Sequence, residues 1–155
     1  MTAVAVNNAN VISFIVSDPL HVGFAAIRAA NPGSDGPLIA AANNVNGPGA
    51  GTVAGNPITP AELEDLIDAG EWETLTTAQL ASLGNLDNLG TILIGSPATQ
   101  AKLNELFANL PKSLAAIQAA YTRPAGPWEV YFGVGQQASI NVLDAARNSG
   151  AGGNF

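Results

Sequence analysis

The largest side chains of this sequence are concentrated in one short stretch close to its C-terminal end. Trp128, Tyr131 and Phe132 are three of the chain's nine aromatic residues (two Trp, two Tyr and five Phe), and they lie within five positions. A buried ring removes far more apolar surface from water than an alanine does. We therefore predict that the core closes around these rings, and that Gly133 and Gly135 allow a turn with positive φ directly after them.

The composition is that of one globular domain with few charges. A chain of 155 residues is long enough for a single domain with a sizeable core. Charged residues make up only 11% of it, less than half of the usual share, and the formal net charge is −7. Such a surface suits a subunit that neighbouring chains cover; alternatively, Asn, Thr, Ser and Gln keep it soluble.

The charge pattern and the residue types argue against several classes of protein. The five basic residues are scattered, so they form no basic stripe for nucleic acid or for an anionic membrane surface. The sequence has no cysteine, and no apolar run approaches the roughly 18 residues of a membrane span. Its first residues lack the positive region of a signal peptide, so we expect synthesis in the cytosol.

Helix-start signals recur along the chain and predict a mainly α fold. We expect a compact bundle of about six to seven short helices, within a single helical domain at residues 18–147. Asp18 followed by Pro19 predicts the first start, because Asp is a good N-cap and Pro is favoured at the first helical position. Similar signals, two of them capping boxes, predict helices that begin near Asp35, Thr59, Thr76, Ser96, Lys112 and Ser139.

Both ends of the chain and one loop depart from this helical pattern. We predict an extended N-terminal arm at residues 1–17, because its β-branched and aromatic run favours extended backbone; the alternative is a helix or an extended arm that lies on the chain's own core. Residues 148–155 form a Gly-rich C-terminal tail. Residues 43–57 form a Gly/Asn/Pro-rich loop, of a length that is usually functional or mobile. We expect contacts with neighbouring chains at Val11, Ile12, Phe14, Ile15, Val16, Asn154 and Phe155.

A glycine motif follows the aromatic stretch, but its context does not fit a dinucleotide site. Residues 133–138 read G-x-G-x-x-A. A dinucleotide site needs a strand before this motif, a helix after it and an acidic residue about 20 positions further on. The only carboxylate that follows is Asp144. We predict that no cofactor binds here.

The densest group of charges is acidic. Six carboxylates lie within twelve residues: Glu62, Glu64, Asp65, Asp68, Glu71 and Glu73. A solvated helical face or an acidic patch for a partner is the favoured interpretation, and a weak cation site or acid–base catalysis are the alternatives. His21 is the only histidine, so we expect a local hydrogen bond and no zinc site or catalytic triad. We predict no catalytic residue and no metal ligand.

Three stretches, taken in their order, resemble a known family. Residues 18–24 read D-P-L-H-V-G-F, residues 75–80 read L-T-T-A-Q-L, and Arg123 is followed at residues 128–135 by W-E-V-Y-F-G-V-G. Together they cover most of residues 18–147. In these stretches the sequence is similar to a family of small structural proteins of tailed-bacteriophage virions.

The resemblance implies a non-enzymatic virion subunit of the tail, neck or fibre-attachment region. Such a protein would act through contacts with other virion proteins and with copies of itself, and not with nucleic acid, a membrane or a small-molecule substrate. It would lie in the virion, and in the host cytoplasm before assembly. The alternative is a small soluble binding module that uses the loop at 43–57 and the acidic segment at 62–73 for a ligand or cation.

Overall fold

A computed structural model describes residues 2–150 and residue 155. In this part of the chain the protein is mainly helical, with ten helices and one two-stranded sheet, so the predicted fold class is confirmed. None of these ten helices is long and apolar enough to cross a membrane.

The elements follow one another as short helices around two strands. In chain order they are α1 (Asn8–Ser17), α2 (Phe24–Ala30), α3 (Gly36–Asn43), β1 (Gly51–Ala54), α4 (Pro60–Asp65), α5 (Ala69–Trp72), α6 (Thr77–Asp87), α7 (Pro97–Leu106), α8 (Pro111–Ala119), β2 (Thr122–Ala125), α9 (Pro127–Phe132) and α10 (Ile140–Asn148). The strands β1 and β2 pair with each other. Helices α5 and α9 are not predicted from the sequence, and a helix at α1 is predicted only as the alternative to an extended arm, which accounts for the lower predicted number of helices.

The chain divides into two compact units. Unit 1 contains two separate segments, Met1–Val53 and Pro124–Phe155, and unit 2 is the continuous segment Ala54–Arg123. Each unit has its own cluster of buried apolar side chains. This division lies inside residues 18–147, which the sequence analysis treats as one domain.

Four predicted helix starts have the predicted cap. The hydroxyl of Thr59 accepts a hydrogen bond from the Glu62 backbone N–H, and Thr76 and Gln79 form the same capping box at α6. The Ser96 and Ser139 hydroxyls cap α7 and α10 in the same way, by accepting a bond from a backbone N–H three residues further on. Local side-chain chemistry therefore sets where these helices begin.

The first helix occupies residues for which the sequence analysis favours an extended arm. The Asn7 side chain accepts a hydrogen bond of 2.9 Å from the Asn10 N–H and so caps α1. Val11, Phe14 and Ile15 then fall on one helical face and are buried in the core of unit 1. The helical alternative is the observed one, because burial of this face outweighs the extended preference of β-branched residues.

A second difference concerns Asp18, which ends a helix and does not begin one. Its backbone is left-handed, with φ 45°, at the C-terminal end of α1. The carboxylate accepts two hydrogen bonds of 2.7 Å, from the backbone N–H groups of Val22 and Gly23. The next helix starts only at Phe24. The predicted start at Asp18 was wrong, because a short acidic side chain can also stabilise a turn.

The core of unit 1 consists largely of aromatic rings. The Phe14 ring contacts four others, with centroid distances of 5.2 Å to Phe24, 5.5 Å to Trp128, 4.9 Å to Tyr131 and 5.4 Å to Phe132. Trp128 and Phe132 are buried and Tyr131 is half-buried. The chain then turns at Gly133 and Gly135, both with positive φ, as predicted.

The core of unit 2 is mostly aliphatic. Its buried residues are Leu63, Ile67, Leu83, Ile92, Ile94, Leu103, Phe107, Leu110, Ile117 and Tyr121. They come from every helix of the unit except the short α5, and from the segments that connect them. The predicted loop at 43–57 contains the strand β1 (Gly51–Ala54), which its Gly-rich sequence did not indicate.

Candidate functional site

The helices α6 and α7 of unit 2 are held together by one buried amide. The Gln79 side chain is only 8% exposed. Its Oε1 accepts a hydrogen bond from the Thr76 backbone N–H at 2.9 Å, which completes the capping box of α6. Its Nε2 donates to the Leu106 carbonyl at 2.7 Å and to Asn109 Oδ1 at 2.9 Å. The amide therefore fixes the start of α6 against the end of α7.

The segment between these two helices is pinned by a short β-bridge. Ile92 exchanges both backbone hydrogen bonds with Ile58, at 3.0 and 2.7 Å. Ile92 and Ile94 are buried, whereas Leu93 between them is 58% exposed. This alternation is typical of extended backbone, and here it directs one leucine outwards.

An open apolar groove of about 820 Å³ lies beside α6, α7 and this segment. We call it the leucine groove, and its apolar lining consists of Leu86, Leu89, Ile92, Leu93, Leu103 and Leu106. Leu89 is 63% exposed, so it and Leu93 present their side chains to solvent. Lys102 and Glu105, both exposed on α7, supply the charges of the lining.

Most of the chain's negative charge lies in unit 2. Residues 54–123 contain eight acidic and three basic residues, a formal charge of −5. The remaining residues contain four acidic and two basic residues, a formal charge of −2. The leucine groove therefore belongs to the more acidic of the two units.

Several members of the acidic cluster serve as helix caps. Glu62 accepts hydrogen bonds from the Thr59 N–H and hydroxyl, and these bonds lower its pKa. Asp68 caps α5 by accepting from the N–H groups of Gly70 and Glu71. The rest of the cluster comprises Glu64, Asp65 and Glu73. Within residues 2–150 and 155, no group of three or more His, Asp or Glu side chains is placed to hold a metal ion.

Glu71 joins α5 to the start of α8. Its carboxylate accepts from the backbone N–H groups of Lys112 and Ser113, at 3.0 and 2.8 Å, and from the Ser113 hydroxyl at 2.6 Å. Burial raises the pKa of this carboxyl, but the hydrogen bonds from Ser113 and Lys112 outweigh it and leave the pKa below its ordinary value. The carboxylate thus provides the α8 N-terminus with an acceptor, which the apolar N-cap residue Leu110 lacks.

Unit 1 contains a smaller cavity of about 290 Å³ at a buried ion-pair group. The Asp35 carboxylate pairs with Arg28 and, through two hydrogen bonds of 2.7 and 3.1 Å, with Arg147. The bonds from Arg147 hold the pKa of Asp35 below its ordinary value; burial opposes this shift, and Arg28 adds to it. The Phe155 ring lies 5.1 Å from the Arg147 guanidinium carbon. One carboxylate thus pairs with two guanidinium groups, and these contacts join α2 and α10 to the start of α3.

The residues predicted to contact other chains have several different positions. Val11, Phe14 and Ile15 are buried in unit 1, so their side chains are not at the surface of this chain. Ile12 and Phe155 are half-buried, and Val16 is 61% exposed. Asn154 lies outside the residues that the structure describes.

The glycine motif and the single histidine both lie in turns that backbone hydrogen bonds stabilise. The G-x-G-x-x-A motif follows helix α9, so the strand that a dinucleotide site needs does not precede it. The Gly135 N–H donates to the Glu129 carboxylate at 2.6 Å. His21 has a left-handed backbone, and its N–H donates to the Asp18 carbonyl at 3.0 Å.

The sequence analysis missed the leucine groove, although a signal for it is present. Leu80, Leu83, Leu86 and Leu89 repeat at intervals of three. On a helix, each such step turns the side chain by about 60° away from the previous one, so the series cannot face a single core. Leu83 is buried, whereas Leu80 and Leu89 are exposed.

The fold and the groove together define a mainly helical protein with an uncovered apolar surface on its acidic unit. Comparison of the chain with protein-family models, with curated proteins and with solved structures found no significant match.

Proposed function

We propose that the chain is a non-enzymatic structural subunit of a tailed-phage virion, in the tail, neck or fibre-attachment region, and that it acts through protein–protein contacts. The observation that supports contact as its function is the leucine groove. Leu89 and Leu93 are more than half exposed beside an apolar cavity. Contiguous apolar surface of this kind marks interaction sites in soluble proteins.

Two further observations support this proposal. Charged residues are only 11% of the chain, which suits a protein whose surface is covered in an assembly. The carboxylates with lowered pKa values, Asp35, Glu62 and Glu71, are engaged in ion pairs and helix caps, which are structural tasks. The assignment to a virion itself rests on the three resembling stretches described above.

The proposal is tested on purified particles of the phage whose genome encodes the chain. An antibody raised against the chain should detect it in particles purified by density gradient, at a constant ratio to the other particle proteins. Particles grown without its gene should be incomplete, and the chain supplied in trans should restore them. Detection of the chain only in the particle-free fraction, with complete particles formed in its absence, would refute the proposal.

A further inference from the structure

We infer that the leucine groove binds an amphipathic helix with a basic polar face, contributed by another protein. That the helix belongs to a virion protein rests on the proposed function; the binding itself does not. The inference depends on the shape of the groove, on its apolar lining and on the charge of the unit that carries it.

The shape of the groove fits a helix. Its two walls are themselves helices, α6 and α7, and a third helix can pack on such a pair with its side-chain ridges in the groove between them. The volume of about 820 Å³ is sufficient for several large apolar side chains. An amphipathic helix presents such side chains at positions i, i+3, i+4 and i+7. Leu89 and Leu93 would lose their solvent exposure in such a complex.

The charge of unit 2 determines which helix fits. Its formal charge of −5 attracts a basic polar face and repels an acidic one. Within the lining, the charges of Glu105 and Lys102 cancel. The preference for a basic face therefore comes from the other acidic residues of unit 2, among them the exposed Asp87, which lies between Leu86 and Leu89 in the sequence. A second copy of this chain, with a net charge of −7, would bring like charges together. The partner is therefore a basic helix of a different protein.

The buried amide of the groove is already occupied within the chain. Both donors and the acceptor of the Gln79 amide are used within the chain, by Leu106, Asn109 and Thr76. A bound helix therefore gains its affinity by burying the exposed leucines. The negative charge of unit 2 then determines which amphipathic helices bind most tightly.

Fluorescence anisotropy with synthetic peptides tests the inference on the full chain. Three labelled peptides of about 15 residues, a length at which isolated helices begin to form, serve as probes. The first has a leucine stripe at helical spacing and a lysine face. The second keeps the stripe but has a glutamate face, and the third has the composition of the first in scrambled order. We expect the first to bind at least tenfold more tightly than either of the others.

Two matched variants locate the binding site. Leu89→Asp removes an exposed leucine in the groove, and Leu80→Asp makes the same change on α6 outside the groove lining. Both add one negative charge, which by itself favours a basic peptide. We expect Leu89→Asp to weaken binding of the first peptide at least tenfold and Leu80→Asp to leave it within twofold. Leu93→Asp repeats the test at a second position, and circular dichroism checks that all three variants are folded.

Several results would overturn the inference. One is no binding of the first peptide, and another is equal binding of the first and scrambled peptides, which indicates attraction by charge alone. Equal effects of Leu80→Asp and Leu89→Asp would place the peptide outside the groove. Self-association of the chain that Leu89→Asp abolishes would identify a second copy as the occupant. If peptide binding fails while the chain is present in particles, this inference falls and the proposed function stands. If the peptide binds in the groove while the chain is absent from particles, the proposed function falls and this inference stands.

Discussion

The two units of this chain are stabilised in different ways. In unit 1, Phe14 from α1 packs among four rings, three of them contributed by α9, more than a hundred residues further along the chain. Unit 2 is one continuous segment, in which capping boxes and side-chain-to-backbone bonds fix short helices around an aliphatic core. Unit 1 therefore depends on a few large side chains, and unit 2 on many small local interactions.

The units also differ in what they leave at the surface. Unit 1 buries an acidic side chain, Asp35, between two arginines. Unit 2 keeps its carboxylates at helix ends and exposes leucines beside an open groove. The rings of unit 1 therefore pack mainly against one another, whereas the leucines of unit 2 line an open groove that a partner can cover.

Removal of the central ring of unit 1 gives the largest expected effect. Phe14→Ala should lower the free energy of unfolding by about 5 kcal/mol, because it leaves a cavity and deletes four ring contacts. Phe107→Ala removes a fully buried ring from unit 2 and should cost less, about 3 kcal/mol, because its surroundings are aliphatic. Urea unfolding measures both losses.

The two tryptophans allow unfolding of each unit to be followed separately by fluorescence. Trp128 is buried in unit 1, and Trp72 lies in unit 2, so Trp72→Phe and Trp128→Phe backgrounds each leave one fluorescent reporter. Phe14→Ala should move the transition seen at Trp128 more than that seen at Trp72. Equal losses for both ring deletions, or equal shifts at both reporters, would break the distinction between the units.

The ion-pair group gives the second largest effect and a defined pH dependence. Asp35→Asn should cost about 2 kcal/mol at neutral pH, because two half-buried guanidinium groups lose the buried carboxylate that they share. The pKa of Asp35 is lowered in the folded chain, so its contribution is fully present above the ordinary carboxyl pKa and is lost as pH falls through the lower folded value. The difference in stability between the wild type and the variant should therefore begin to shrink below about pH 4 and disappear at still lower pH.

Urea unfolding at a series of pH values measures this convergence. Asp144→Asn is the control, because that carboxylate pairs with Arg147 on the surface, where such pairs contribute at most about 1 kcal/mol. A loss for Asp35→Asn that stays constant down to acid pH would show that the pairing charge is not its cause.

A local cap in unit 2 gives the smallest effect. Thr76→Ala should lower the free energy of unfolding by about 1 kcal/mol, because the N-terminal turn of α6 loses one side of its capping box. Thr77→Ala, at the next residue, removes an exposed hydroxyl that caps nothing and should change stability by less than about 0.5 kcal/mol. Thermal unfolding of the two variants compares them. A larger loss at Thr77 would mean that local capping is not what sets the start of α6.

The sequence predicts helix starts well where the signal is local. Thr59, Thr76, Ser96 and Ser139 need only residues three positions away to form their caps, so four residues of sequence contain the information. The aromatic stretch also indicates its own burial, because few other side chains are large enough to fill a core around it.

The sequence predictions fail where contacts between residues far apart in the chain determine the local structure. The run at Val11–Val16 has a local preference for extended backbone, but in unit 1 its helical face is buried and α1 contacts α10. The strand β1 lies inside the Gly-rich segment 43–57 and is defined by its pairing with β2. The leucine groove is hidden for the same reason. The sequence shows where the leucines are, but it does not show which of them the rest of unit 2 buries.

The discontinuity of unit 1 has a consequence for synthesis on the ribosome. Residues 54–123 emerge as one uninterrupted segment, so all the contacts of unit 2 are available to it before translation ends. The N-terminal segment, including Phe14, must wait for residues 124–155 before it meets three of the four rings that surround Phe14. During that interval a nascent chain presents unsatisfied rings, and we expect it to depend on chaperones at that stage more than at any other.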